Sequence, residues 1–283
     1  MMIGMGIAVA APGLLVHYMM LFLAVYAVTL VVYFATGLAL TWVNRRHPDR
    51  RIQPHRDGSK RMRREIRASM KALATSSALI SAGFFAQLNG WTIAPLEATW
   101  WSIPGMFVVS MVLFDAWFYW GHRLLHLPAF YRFHAPHHAS VAPTAWSNDS
   151  STTVDTLIEH GYYLVIWFIL PMPAAALFAQ RLYDQVSGMI GHAGFEYFAS
   201  PTARWPSPLI CTTFHDLHHS GFRYNFGNFF SLWDRMMGTV DPRYDAMVAE
   251  FERPAAGGNT SGGNGADVSA AGAGTGSGEK AHG

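Results

Sequence analysis

The sequence predicts an all-α integral membrane protein: about four transmembrane helices, the last region a proline-broken helical hairpin, with a cytosolic helical cap holding clustered histidines. Three observations carry this. Hydrophobic residues make up 51% of the 283 residues and charged residues 13%, against roughly a quarter charged in soluble domains. Phe, Trp and Tyr reach 14%, which suits a chain that crosses membrane–water interfaces repeatedly. Apolar runs of spanning length alternate with one basic segment and with histidine-rich stretches.

The first element is an apolar run over residues 14–43, interrupted by His17 and longer than the ~20 residues a bilayer core requires. The residues before it lack the basic start of a cleaved signal peptide, and the run is too long for a signal's apolar region. A basic loop follows at 45–71, holding eleven of the twenty Lys and Arg. The positive-inside rule places it in the cytoplasm, with the N-terminus on the far side. Spans are expected at 72–88, closed by the Asn89-Gly90 turn signal, and at 101–120. They bring His122 out on the side of the basic loop. The region 162–190 is broken at Leu170–Pro173, so its halves are short for full spans. A hairpin that dips into the membrane returns the chain to the cytoplasmic side. Residues 200–208 are Pro- and Ser-rich and read as a loop. The domain is expected to run over 1–253. Residues 254–283, almost without large apolar side chains, read as a disordered tail carrying His282. The single cysteine, Cys211, excludes an intrachain disulfide and a cysteine-built metal site.

Histidine is too sparse, at 14 residues, to place two H-x-x-H-H triplets by composition. The clusters are His122-x-x-x-His126, His134-x-x-His137-His138 and His215-x-x-His218-His219. Residues four apart share a helix face, so His122 and His126 point together, with Asp115 two to three turns before them. An acid at the end of an apolar helix needs a partner. The second nitrogen of a ligating histidine is the expected one. Pro136 is tolerated in a first helical turn, which puts His134 near an N-cap. Eight imidazoles exceed the four ligands of a structural zinc, and two metal ions are the simplest count. Imidazole suits iron, zinc, copper and nickel alike. A single Glu-x-x-His, Glu279 to His282, lies in the tail and no His-Glu-x-x-His occurs, which excludes the paired Glu-x-x-His pattern of the carboxylate-bridged di-iron bundle and the zincin protease pattern.

DAWFYWGHRLLH (115–126), YRFHAPHH (131–138), GHAGFE (191–196), FHDLHHS (214–220) and NFGNFFSLWDRMMGT (225–239) together resemble the membrane fatty acid hydroxylase/sterol desaturase superfamily, the histidine-box non-haem di-iron oxygenases. The resemblance covers roughly residues 64–239. The eight-residue step from His126 to His134 favours it over the acyl-lipid desaturases. It implies that His122, His126, His134, His137, His138, His215, His218 and His219 ligate two iron ions, and it points to His192 as a ninth ligand. Glu196, one turn after His192, is either a ligand or an acid supporting one, the second being favoured. Asp216 and Asp234 are weaker candidates for orienting rings, or pair with Arg223 or Arg235. The His-Pro pair that many relatives carry after the second box is missing from NDSSTTVDTLIEH (148–160), where His160 either substitutes or is a plain interfacial histidine.

The resemblance further implies an oxidoreductase that uses dioxygen to hydroxylate or desaturate a lipid C–H bond. Two electrons come from outside, from a cytochrome or ferredoxin with its reductase, since no haem, flavin or iron–sulfur motif is present. The basic loop either docks such a donor or reflects the positive-inside rule and lipid headgroups. A membrane lipid is the expected substrate and no nucleic acid is expected. The chain is placed in a bacterial inner membrane or endoplasmic reticulum, with its histidines on the cytoplasmic side. The rival reading is a membrane metal transporter or metal-binding protein, which would carry its ligands at mid-membrane.

Overall fold

The computed structural model describes residues 11–253. The tail expected at 254–283 lies outside the described residues, with His282. Among the described residues every regular element is helical, and only two isolated bridges occur, Arg51 with Phe195 and Leu209 with Phe230. The elements are α1 (Ala11–Arg46), α2 (Met62–Leu88), α3 (Ser102–Leu125), α4 (Tyr131–His138), α5 (Thr153–His160), α6 (Tyr162–Ile169), α7 (Ala174–Gly191), α8 (Thr212–Gly221), α9 (Leu232–Met237) and α10 (Tyr244–Glu252).

Two of these helices are long and apolar enough to cross a membrane: α1, from Pro12, and α3. Along α1 the side chains of Met20 and Val31 are 66% and 68% exposed. Such a continuous apolar surface is what lipid covers and what soluble monomers avoid. At 36 residues, α1 is about 54 Å long. It outruns a hydrocarbon core of about 30 Å and ends in Arg45 and Arg46. The Arg46 guanidinium sits 3.7 Å over the Trp42 ring, an interfacial pairing.

The other two expected spans take different forms. The basic loop is shorter than expected: α2 already starts at Met62, so the run over 72–88 is the later part of a 27-residue helix. That helix ends at the expected Asn89-Gly90 turn, where Gly90 has φ +72°. It buries Ser69, Ser76, Ser77 and Ser81, small residues that let helices approach closely. Residues 162–190 break at Leu170–Pro173 into α6 and α7. Helix α7 turns Gln180, Arg181, Asp184 and Gln185 inward and leaves Leu182 and Tyr183 exposed, so it carries a polar face into the protein.

Helices α1 and α2 pack antiparallel, with the Tyr18 hydroxyl donating to Ala78 and the Tyr26 hydroxyl to Met70. Trp146, from the turn Ala145–Ser147, locks them together. Its carbonyl accepts from Tyr33 (2.9 Å) and Ser69 (3.1 Å), and its indole donates to Thr41 (3.0 Å). Gly37 admits this ring, because a Cβ there would meet the indole at 2.6 Å. A second core joins α3, α6 and α7 around Phe114, Tyr163 and Trp167. The third packs α8 on α10 through Phe214, Tyr244 and the buried Cys211, whose thiol is pushed up by burial. These cores fix the ends of α3, α4, α7 and α8 against one another.

Candidate metal centre

Four helix ends deliver the histidines. His122 lies in the last turn of α3 and His126 caps it. His134, His137 and His138 lie on α4, His192 caps α7, and His215, His218 and His219 lie on α8. The nine rings form two groups. His122, His126, His134, His138 and His218 bring one nitrogen each within 4.8 Å of one another; His137, His192, His215 and His219 do the same.

The split follows from helix geometry. Successive residues turn about 100°, so the first and last members of H-x-x-H-H are about 40° apart and the middle one faces away from the last. On α4, His134 and His138 therefore serve the first group and His137 the second. On α8, His215 and His219 serve the second and His218 the first. Each triplet bridges both groups. Helix α4 begins three residues earlier than expected from Pro136, with Phe130 as its N-cap and Pro136 inside it. The interior proline has no N–H to offer the carbonyl of Arg132, one turn before it.

The nitrogens are spaced as ligands, not as hydrogen-bond partners. In the first group Nε2–Nε2 distances are 3.0 Å (His122–His134), 3.0 Å (His126–His138) and 3.1 Å (His138–His218). In the second, His192, His215 and His219 form a triangle of 2.9, 3.1 and 3.2 Å. Each ring N–H can serve only one neighbour, so protons cannot satisfy all three edges of such a triangle. A cation can. Metal–nitrogen bonds of about 2.1 Å at right angles give edges of about 3.0 Å, close to those observed.

The tautomers agree with this. His122 Nδ1 donates to the Phe226 carbonyl (3.0 Å), His218 to Tyr224 (2.6 Å), His192 to Gly188 (2.8 Å), and His134 to the Asp155 carboxylate (2.9 Å). A carbonyl only accepts, so Nδ1 carries the proton and Nε2 presents its lone pair to the group. Burial disfavours protonation of several of these rings: it holds His126 at about 3 and His192 at about 4, and it also lowers His137 and His138.

The acids expected at the site stand one layer back. Asp115 does not meet a histidine ring; its carboxylate accepts from the Phe229 and Phe230 amides (2.7 and 3.2 Å) and pins the loop after α8. Glu196 also touches no ring. It caps α8, accepting from the Thr213 amide and hydroxyl (2.7 and 2.6 Å) and from the Phe198 amide (2.8 Å). Asp216 accepts from Gln53 (2.8 Å) and is pushed up to about 7 by burial. Asp234 takes the Phe226 and Gly227 amides (2.9 and 2.7 Å), which aims the Phe226 carbonyl at His122. The carboxylate that does orient a ring is Asp155, fully buried on α5. The start of α5 is tied to α4 by Thr152, which donates to Phe133 (2.9 Å) and accepts from the Asp155 amide (3.3 Å).

A cavity of about 320 Å³ reaches both groups through His122, His137, His192 and His215. Phe118 and Phe229 supply apolar wall; Glu159, His160, Arg181 and Asp184 supply a buried polar end. His160 belongs to neither group. Its Nε2 lies 3.8 Å from Asp184 and its Nδ1 has no partner. Burial and the neighbouring Asp155 push Glu159 up.

Comparison with known proteins agrees with this geometry. Residues 107–239 match the fatty acid hydroxylase family model, a stretch that spans both triplets and ends at Thr239. The chain is 28% identical over 82% of its length to a Delta(7)-sterol 5(6)-desaturase of Aspergillus fumigatus, covering 68% of that protein. It is 31% identical over 63% of its length to the human lathosterol oxidase, covering 60% of that protein. It is 31% identical over 51% to a probable Delta(7)-sterol 5(6)-desaturase of Neurospora crassa, of which it covers 41%. No solved structure matches the chain. The match holds both histidine groups, so it is over residues 107–239 that the chain is similar to the fatty acid hydroxylase family, and over a longer stretch to the sterol desaturases.

Proposed function

We propose that the chain is a single membrane-embedded oxygenase domain that uses dioxygen and external electrons to hydroxylate or desaturate a lipid, with a sterol-like lipid the class that the relatives' names favour. The observation that carries this reading is the convergence of nine imidazoles in two groups beside one cavity. His122, His126, His134, His138 and His218 would hold one iron ion; His137, His192, His215 and His219 would hold the other. Bound there, the irons would supply the two-electron activation of dioxygen that breaks an unactivated C–H bond. One dioxygen, two electrons and two protons turn C–H into C–OH and one water; loss of a second hydrogen gives an alkene and two waters.

The chain's own residues position and shield. Asp155 strengthens His134 as a donor, and the Phe226 and Tyr224 carbonyls fix the rings of His122 and His218. Phe118 and Phe229 keep the cavity wall apolar beside His122, which limits the water that reaches the reacting carbon. Topology follows the apolar surfaces of α1 and α3. With α2 and the α6–α7 pair as the remaining membrane elements, the histidine layer forms a cap on the cytoplasmic side, the side of the basic segment. Zinc-only binding or transport would leave the cavity without a purpose beside both groups.

Expression with a ferredoxin and its reductase, followed by lipid mass spectrometry, tests the reading against a His218→Ala variant. Wild type should give a lipid with one added oxygen or two fewer hydrogens, and the variant should give none. Identical lipids from both, with zinc and no iron in the purified protein, would sink it.

A further inference from the structure

A second cavity, about 280 Å³, lies on the other flank of α8: Asp216 lines it, while the preceding His215 lines the first cavity. Its charged lining is Arg45, Arg51 and Arg56 against the single acid Asp216. Among the described residues none of the three arginines is in an ion pair. One of them, Arg51, sits on a strap, residues 50–53, held in place by four backbone and side-chain bonds, and Arg56 donates to Gln53 of that strap (3.1 Å). Ile52 donates to Gly194 (3.0 Å), Glu196 to Arg50 (2.8 Å), and Gln53 to both Val141 (3.0 Å) and Asp216 (2.8 Å). Gly194 is two residues from His192 and Asp216 is next to His215, so one layer of chain separates this surface from the second histidine group.

We propose that this cavity is the docking surface for the electron donor, an acidic one-electron carrier protein whose carboxylates meet Arg45, Arg51 and Arg56. The inference rests on the oxygenase reading, which requires two electrons from outside. Positive charge alone would equally suit a lipid headgroup. A headgroup site, however, needs only a place in the bilayer plane. Here Arg51 lies on a strap bonded to the segments that carry His192 and His215, with Arg56 bonded to its Gln53, so a donor docked there is one layer of chain from the second group. Complementary charge of this kind acts mainly on encounter rate and on salt dependence.

The test uses the full chain in nanodiscs of neutral phosphatidylcholine and a plant-type [2Fe–2S] ferredoxin, an acidic protein, as probe. The Kd is read by thermophoresis at about 20 mM and about 200 mM salt, across which screening of exposed charges grows strongly. Wild-type binding should weaken about tenfold with salt, and the R51E/R56E pair should weaken it about tenfold at low salt. The R63E/R64E pair, in the same basic segment but off the cavity, makes the same charge change and should alter Kd less than about twofold. Should the glutamate pair fail to fold, R51Q/R56Q should show a smaller loss in the same direction. Equal losses from both glutamate pairs, or none from R51E/R56E, would overturn the proposal. So would phosphatidylglycerol that co-purifies with wild type but not with R51E/R56E, if ferredoxin binding were unchanged. Binding needs no turnover: arginine-dependent binding by a chain that oxidises no lipid would remove the oxygenase reading alone. Lipid oxidation driven by dithionite without such binding would remove the docking surface alone.

Discussion

At the scale of single residues, the paired nitrogens are oriented and close, and the partner behind each ring decides how well it can serve a metal. Asp155 is the one carboxylate that meets a ring of the histidine groups, at 2.9 Å from His134. Replacing it with Asn keeps the shape but removes the charge that strengthens the ring as a donor. Iron affinity of Asp155→Asn, followed by chelator competition, should fall about 10- to 100-fold with the helical content intact. Glu196 acts differently, since it holds the start of α8 through two bonds from Thr213 and takes a third from the Phe198 amide. Glu196→Ala leaves buried donors unpaired and should cost about 1–3 kcal/mol in stability. Thermal unfolding and iron per chain would show this together, with the second group, which takes two ligands from α8, emptied first. Asp115 shows where residue-level reasoning misleads. Its spacing puts it on the face of His122, yet it spends its carboxylate on the Phe229 and Phe230 amides. Unpaired backbone amides in a closing loop claim a nearby acid as strongly as an imidazole does.

At the scale of elements, the spacing of histidines along α4 and α8 is legible because it is local. The 40° offset of i and i+4 fixes which triplet members travel together, so the sharing of each helix between two groups is written in H-x-x-H-H. The partners of the Nδ1 atoms are not legible. Three of the four are backbone carbonyls, of Phe226, Tyr224 and Gly188, and carbonyls have no side-chain signature. Asp155 left only a faint one, as one of three acids in the polar stretch 148–160, twenty-one residues after His134. Helix packing yields its own test at Gly37. Alanine normally favours a helix over glycine by about 1 kcal/mol, but here the added Cβ would meet the Trp146 indole at 2.6 Å. Gly37→Ala should therefore lower the melting temperature, by about 1–3 kcal/mol of overpacking. An unchanged or raised melting temperature would show that Trp146 does not lock α1 to α2.

At the scale of the whole molecule, the two-group site makes stability depend on pH. Histidines held low in the folded state, His192 at about 4 and His126 at about 3, bind fewer protons folded than unfolded, where the ordinary value is about 6.5. Their contribution is thus fully present above about pH 6.5 and is lost as the pH falls toward 4 and then 3. Thermal melts in detergent should shift to lower temperature between about pH 7 and pH 5, and iron should be released over the same range because protons compete for Nε2. Full iron retention at pH about 4 would contradict histidine ligation.

Sequence alone was enough for the helical class, for the apolar spans and, through resemblance to a known family, for the nine histidines that converge. Composition, periodicity and short motifs are properties of neighbouring residues, and these needed nothing more. Only the tertiary structure decided that His218 joins His134 and His138 while His137 joins His215 and His219, that Asp155 rather than Asp115 stands behind a ring, and that α7 turns its polar side inward. Those outcomes depend on how helix ends separated by some eighty residues meet, and on which buried donors remain to be satisfied once they do. Pairings of that kind are set by packing and by backbone hydrogen bonds, to which each segment contributes only half.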